Sequence, residues 1–192
     1  MKRTTFLKAF LSTGAMASPF LSSVAKSALQ QRLKKGIKVD AGKDRLNKPM
    51  KLFEGDTFYT KISTNDTAGD LFLFESSCVK EGGPPLHYHF YQDEYWYILQ
   101  GEFIFKVGEQ SFHAQAGDTV FGPRMVPHAF AKTGEGEGKI LMIFQPAGKM
   151  EDMFRRISEG ETKNMTEEEQ DKFREEHGIK HVGPPLTNLK KW

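Results

Sequence analysis

The chain has 192 residues, of which 27 are basic, 25 are acidic and one is cysteine, and 38% are hydrophobic, including 16 phenylalanines. This length and composition suit one domain with a sizeable core and exclude a wholly disordered chain. The net charge of +2 gives little electrostatic support to a nucleic-acid partner, and a single cysteine excludes an internal disulfide framework.

Residues 1–28 are predicted to be a signal segment. The basic start, MKRTTFLK, precedes a weakly apolar run of small residues with cleavage contexts at 15–17 and 23–25. Arg3 stands alone where a twin-arginine signal has two arginines, so general secretion is an equal alternative route. We therefore expect a periplasmic or secreted protein, with a cytoplasmic protein that has an amphipathic or disordered tail as the alternative. No other stretch predicts a membrane span.

A polar, basic lead-in is predicted for residues 29–53, and its lack of interleaved aromatic residues indicates a solvated arm. From residue 54 to residue 147, short aromatic and branched runs alternate with Gly, Asn, Asp or Pro. In EFIFKV, Phe103 and Phe105 alternate onto one face, as is typical of a strand. Many short strands at this spacing predict an all-β sandwich or barrel. Cys78 lies in one of these runs and is interpreted as a buried small hydrophobe, not a nucleophile.

Residues 148–192 are predicted to be a helical extension. Four apolar residues share one face of the first helix, which we expect to pack on the barrel: Met150, Met153, Phe154 and Ile157. A second helix is predicted to begin after Thr166, because Glu169 completes a capping box, and its many charges indicate a solvated helix. His177 and His181 follow this helix and are interpreted as solvated or capping residues.

The stretch GGPPLHYHFYQDEYWYILQGE carries the residues that indicate chemistry. His87 and His89 lie two apart, so on a strand both imidazoles point to one face and can share a metal ion. Glu94 lies an odd number of positions after both histidines, so on one continuous strand it would face the opposite side. It can join them only through a turn, which FYQD can supply. His128, at the start of a later apolar strand, is a fourth candidate. Three imidazoles and one carboxylate suit a divalent transition metal ion (Fe, Mn, Ni, Cu, Co or Zn) and leave coordination positions open.

The aromatic residues around this stretch indicate an apolar interior. Trp96 shares a strand face with Glu94 and is expected to point inward. Four tyrosines are candidates for a pocket wall, although core or rim positions suit each of them better: Tyr88, Tyr91, Tyr95 and Tyr97. His113 lies on a run that predicts a surface strand. An apolar interior favours an aromatic or otherwise weakly polar ligand.

These residues resemble the two motifs of a single-domain cupin. The first motif is matched by Gly82, His87, His89, Glu94 and Gly101, with one residue fewer than usual between Gly82 and His87. The second motif is matched by Gly117, Pro123 and His128, whereas Met125 replaces a glycine and Lys132 replaces an asparagine. The resemblance covers about residues 58–145, and the flanks are similar to bacterial quercetin-dioxygenase-like cupins.

This resemblance implies a double-stranded β-helix, or jelly-roll barrel, with C-terminal α-helices. It implies a metal ion inside the barrel, held by His87, His89, Glu94 and His128. It favours a dioxygenase that acts on a small aromatic or enolic compound, with Glu94 as both a ligand and the base that takes the substrate's hydroxyl proton. A raised pKa of Glu94 in an apolar barrel would suit that role. A non-catalytic small-molecule-binding cupin and a metal-dependent isomerase or epimerase are the alternatives, and a homodimer is common among such proteins.

Overall fold

The computed structural model describes residues 32–52 and 55–186, so the signal segment predicted for residues 1–28 lies outside the described residues. The first strands are β1 Met50–Leu52, β2 Asp56–Ile62, β3 Phe72–Cys78, β4 Pro85–His89, β5 Asp93–Gln100 and β6 Glu102–Val107. The remaining strands are β7 Gln110–Gln115, β8 Thr119–Gly122, β9 His128–Thr133, β10 Gly138–Gln145 and β11 Ile179–Pro185. The helices are α1 Met150–Ser158 and α2 Glu167–Glu176, with a short 3-10 helix at Thr64–Thr67.

The strands form two antiparallel sheets. One sheet has the order β1-β2-β3-β10-β5-β8, and the other has the order β11-β4-β9-β6-β7. Consecutive strands therefore often lie in different sheets, as β4 and β5 do, and the chain crosses between the layers. This arrangement is a jelly-roll barrel, and it confirms the predicted fold class.

Phenylalanine side chains fill the space between the sheets and the first helix. Phe58 and Phe74 stack with ring centroids 4.4 Å apart, and Phe154 of α1 meets Phe58 edge-on at 5.2 Å. Each of these rings is buried, which contributes roughly 1.5–3 kcal/mol per side chain. Met150 and Met153 are buried beside Phe154, so α1 packs on the barrel through the apolar face that the sequence predicts.

The end of the lead-in is part of the fold and is not a solvated arm. Met50 and Leu52 are buried in β1, which pairs with β2. Asp44 is also buried, and its carboxylate accepts hydrogen bonds from the backbone N–H groups of Leu46, Lys48 and Thr60 at 2.8, 3.0 and 2.7 Å. A charged side chain that satisfies three backbone donors ties the lead-in to the first sheet.

The C-terminal extension contains both predicted helices and a strand that was not predicted. Thr166 caps α2, and its capping box with Glu169 is present. The strand β11 then pairs with β4 and widens the second sheet. His177 is a buried capping residue whose Nδ1 lies 2.6 Å from the Phe173 carbonyl oxygen, and His181 lies within β11, so neither histidine is solvated as part of a tail.

Among the described residues, no helix is both long enough and apolar enough to span a lipid bilayer.

Candidate metal centre

The strand β4 positions two imidazoles on the inner face of the barrel. His87 and His89 are both buried, whereas Tyr88 between them lies on the other face and is half-buried. This alternation follows from the two-residue period of a strand. The pair predicted from the His-x-His spacing therefore shares one face.

A short turn returns the chain so that Glu94 meets the histidines. The strand β4 ends at His89 and β5 begins at Asp93, so the connection is the turn predicted in the sequence. Phe90 fixes this turn by donating its backbone N–H to the Gly178 carbonyl oxygen at 2.8 Å. The Glu94 side chain lies inside the barrel and is 2% exposed.

His128 begins β9, and its Cα lies opposite that of His87 in the neighbouring strand. The turn before it contains Met125, which has a φ of 63° and donates its backbone N–H to the His89 carbonyl oxygen at 2.8 Å. Met125 thus adopts the left-handed conformation that a glycine would adopt without strain, at a cost on the order of 1 kcal/mol. The substitution of the motif glycine leaves His128 in position.

The structure brings the four predicted residues together. The ligand atoms of His87, His89, Glu94 and His128 lie within 4.8 Å of one another, and all four residues are buried. Glu94 Oε2 is 3.0 Å from His89 Nε2 and 3.2 Å from His128 Nε2. This cluster could hold a metal ion. His113, by contrast, lies exposed on β7, as expected of a surface strand.

A family comparison identifies the barrel that holds this cluster. The family model described as "Cupin domain" matches residues 74–144, which include all four cluster residues. Residues 74–144 are a cupin domain.

Comparison with known proteins finds chains that are similar to part of this one. An uncharacterized protein from Methanocaldococcus jannaschii is 33% identical over 67 residues, which are 35% of this chain and 54% of that protein. The chain therefore spans about half the length of the curated relative that it matches. KdgF from Halomonas sp. is 18% identical, with a TM-score of 0.47, over 52% of this chain and 86% of that chain.

Two further solved structures are similar to the chain. An RmlC-like cupin from Shewanella frigidimarina is 22% identical, with a TM-score of 0.45, over 52% of this chain and 84% of that chain. A predicted oxalate decarboxylase from Thermotoga maritima is 21% identical, with a TM-score of 0.45, over 47% of this chain and 80% of that chain.

The hydrogen bonds of the cupin cluster fit a bound cation. His87 Nδ1 lies 2.7 Å from the Pro85 carbonyl oxygen, and His128 Nδ1 lies 2.9 Å from the Val126 carbonyl oxygen. A neutral imidazole has a single N–H, and donating it to a carbonyl leaves a lone pair on Nε2. His128 Nε2 lies 3.2 Å from Glu94 Oε2, where a bound cation would take the place of the hydrogen bond between the two groups. The donor set therefore suits a divalent transition metal ion.

The protonation states of the cluster also suit a cation. Burial, followed by the neighbouring His128 and His89, holds the pKa of His87 well below its usual value, so this ring is neutral. Burial acts to raise the pKa of Glu94, but hydrogen bonds from His128 and His89 outweigh it and lower that pKa to about 2. The expectation of a raised pKa for Glu94 is therefore wrong, since the adjacent imidazoles stabilise the carboxylate.

A cavity of about 640 Å³ connects the cluster with the C-terminal helices. His87, His89 and Glu94 form one polar end of it. Phenylalanine and methionine side chains from the barrel and both helices form much of its wall, among them Phe58, Phe144, Met150, Met153, Phe154 and Phe173. The interior of the cupin barrel is thus largely apolar, as the sequence predicts.

The tryptophan and tyrosines singled out in the sequence do not form the cavity wall. Trp96 points inward as predicted, and its ring packs edge-on against His128 at 5.3 Å, behind the cluster. The four candidate tyrosines do not line the cavity, and Tyr91 and Tyr97 are exposed. His181 does line it, although the sequence interpretation gave it no role. The alternation of Ile179 and His181 around Lys180 was the signal that could have revealed this strand.

Proposed function

We propose that this protein is a metal-dependent dioxygenase that acts on a small aromatic or enolic compound. The observation that carries the proposal is a buried cluster of three imidazoles and one carboxylate at one end of a largely apolar cavity. His87, His89, Glu94 and His128 would hold one divalent transition metal ion. A redox-active ion bound there would polarise a substrate oxygen and support reaction with O₂.

The protein side chains supply orientation and a proton acceptor. The Pro85 and Val126 carbonyl oxygens fix the rings of His87 and His128 through Nδ1, which keeps each Nε2 directed at the cluster. Glu94 is ionised and is able to accept the proton of a substrate hydroxyl group.

The cavity favours an aromatic substrate over a sugar. Rings such as Phe144 and Phe154 offer faces and edges against which a flat ring packs well. A sugar would leave the hydroxyl groups that face these aromatic rings without partners, and each unpaired buried polar group opposes binding. The isomerase or epimerase alternative is therefore less well supported than the dioxygenase.

Metal analysis is the first test of this proposal. Untagged protein purified without nickel resin is analysed by elemental mass spectrometry beside the His87→Ala variant. We expect about one Fe, Mn, Ni, Cu or Co ion per chain, and its loss in the variant. Zinc alone in the wild-type protein would contradict the redox chemistry.

Oxygen uptake is the second test. Catechols and flavonols are screened with an oxygen electrode, with Glu94→Gln as the test variant and the surface variant His113→Gln as the matched control. We expect uptake with the wild-type and His113→Gln proteins and its loss in Glu94→Gln. Metal and ligand binding without any oxygen uptake would instead indicate a non-catalytic binding cupin.

Two further proposals rest on the sequence. We propose that residues 1–28 direct export to the periplasm or the exterior, and amino-terminal sequencing of the mature protein from cell fractions tests this. We also propose a homodimer, which sedimentation analysis of the purified protein tests.

A further inference from the structure

The strand β11 places one more imidazole beside the cluster. In the pairing of β11 with β4, His181 lies opposite His87 and Ile179 lies opposite His89. Residues directly opposite each other in an antiparallel pair project to the same side of the sheet. His181 therefore faces the same interior as the two cluster histidines of β4.

The contacts of His181 leave its ring available to a ligand. The ring centroid lies 6.1 Å from that of His87, and the side chain is half-buried and lines the cavity. It makes no hydrogen bond to any other residue that the structure describes, and it is not among the residues whose ligand atoms lie within 4.8 Å of one another. His181 is thus a polar group next to the cluster, separate from it and without a hydrogen-bond partner in the described protein.

The chemistry of a neutral imidazole indicates what such a partner would be. The unperturbed pKa of histidine is about 6.5, so its side chain is mostly neutral at neutral pH. A neutral imidazole offers one N–H donor and one acceptor nitrogen. It can therefore accept a hydrogen bond from a hydroxyl group or donate one to a carbonyl oxygen.

Arg174, a charged group that also lines the cavity, is partly paired. Arg174 donates to Gln170 Oε1 at 3.2 Å and to Asp171 Oδ1 at 2.5 Å, so its two terminal nitrogen atoms are engaged on its own helix. The wall nearest the barrel interior is apolar. His181, next to the cluster, is therefore a group with which a ligand oxygen near the cluster can form a hydrogen bond.

We propose that His181 is a specificity-determining residue that hydrogen-bonds a second oxygen atom of the substrate, next to the oxygen that reaches the cluster. The substrate class is then an aromatic or enolic compound with a further hydroxyl or carbonyl group adjacent to its metal-binding oxygen. This inference rests on the proposed function, since it concerns the ligand of the same cavity.

A matched pair of probes tests the inference. Catechol differs from phenol by one added, adjacent hydroxyl group, so the ratio of their dissociation constants isolates the contribution of that group. Both are titrated by calorimetry under nitrogen into zinc-loaded wild-type, His181→Phe, His181→Gln and His113→Gln proteins. Circular dichroism and metal content establish that each variant is folded and loaded.

We expect the wild-type protein to bind catechol more tightly than phenol. His181→Phe should weaken catechol binding about 3- to 10-fold and leave phenol binding unchanged, the range that one net hydrogen bond supports. His181→Gln, which keeps a donor and an acceptor, should recover part of the preference. His113→Gln should bind both probes as the wild-type protein does.

Equal weakening of both probes in His181→Phe, or no weakening of either, would overturn the inference, as would a wild-type protein that binds neither probe. Because binding is measured without oxygen, the result does not depend on turnover. A His181-dependent preference in a protein that consumes no oxygen would refute the dioxygenase and retain the inference. Oxygen uptake without that preference would refute the inference and retain the dioxygenase.

Discussion

Gly122 allows Trp96 to lie against His128, and its replacement by alanine tests how the cluster is supported. The glycine is the last residue of β8 and pairs with Glu94 of β5. A Cβ atom at this position would lie 2.6 Å from Trp96 Cη2, 2.8 Å from Trp96 Cζ3 and 3.2 Å from His128 Nδ1. Ordinary contacts between carbon atoms are about 3.5–4.0 Å, so the Trp96 ring has to move by about 1 Å.

The surroundings of Trp96 make that movement unfavourable. The ring is 1% exposed and packs against Phe105 at a centroid distance of 5.3 Å. Forcing extra volume into such a core costs about 1–3 kcal/mol. The new methyl group would also push on His128 Nδ1, whose contact with the Val126 carbonyl oxygen orients the ring. Disturbing such an orienting contact weakens metal binding about 10-fold or more.

Two measurements check this prediction. Urea unfolding of the metal-free proteins, followed by circular dichroism, gives the loss of stability in Gly122→Ala, and competition with a chelator gives the loss of metal affinity. Gly36→Ala is the matched control, because a Cβ atom at Gly36 meets nothing within 4 Å. If Gly122→Ala unfolds at the same urea concentration as Gly36→Ala and holds metal equally well, the packing argument is wrong.

Three more predictions concern the rest of the fold. Gly83→Ala should lower the free energy of unfolding, measured in urea, by about 3 kcal/mol or more. The new Cβ atom would lie 1.9 Å from the Phe130 carbonyl oxygen, and backbone atoms cannot move aside as a side chain can. An unchanged urea midpoint would contradict this prediction. Asp44→Ala should lower the free energy of unfolding by about 2–4 kcal/mol, because it leaves backbone donors unpaired, and Asp44→Asn should lower it less. Equal losses for the two variants in the same assay would argue against the hydrogen bonds as the cause. Burial, followed by the charge of Asp56, raises the pKa of the Cys78 thiol from 9.0 to about 12. The folded state therefore holds the thiol proton more tightly than the unfolded chain, so the free energy of unfolding should fall as pH rises from about 9 towards 12. Unfolding of a Cys78→Ala variant over the same pH range should show a smaller decrease, because the variant has no thiol to titrate.

Local patterns explain why much of the barrel could be predicted from the sequence. The alternation in β6, the turn residues between strands and the His-x-His pair act over a few residues, and each has the structure that its spacing predicts. The capping box at Thr166 is equally local. Such features depend on the chain's own geometry and need no knowledge of distant contacts.

Features that depend on distant contacts were not predicted. Lys132 is 2% exposed on β9 and donates from Nζ to the Gly134 carbonyl oxygen at 2.7 Å. β9 is covered on both faces, so the two-residue pattern that separates inside from outside does not apply to it. In the same way, the burial of Asp44 and the pairing of β11 with β4 join segments far apart in the sequence.

The cavity wall is divided between two parts of the chain. The cupin domain contributes the donor atoms of His87, His89 and Glu94, whereas α1, α2 and β11 contribute Met153, Phe173, His181 and other groups that a ligand would touch. Mutation or recombination within the extension can therefore change which molecule is accepted while the ion-binding atoms stay the same. Proteins with closely similar barrels and different C-terminal segments would then share a reaction type and diverge in substrate, so the extension is the segment to compare when substrates are sought.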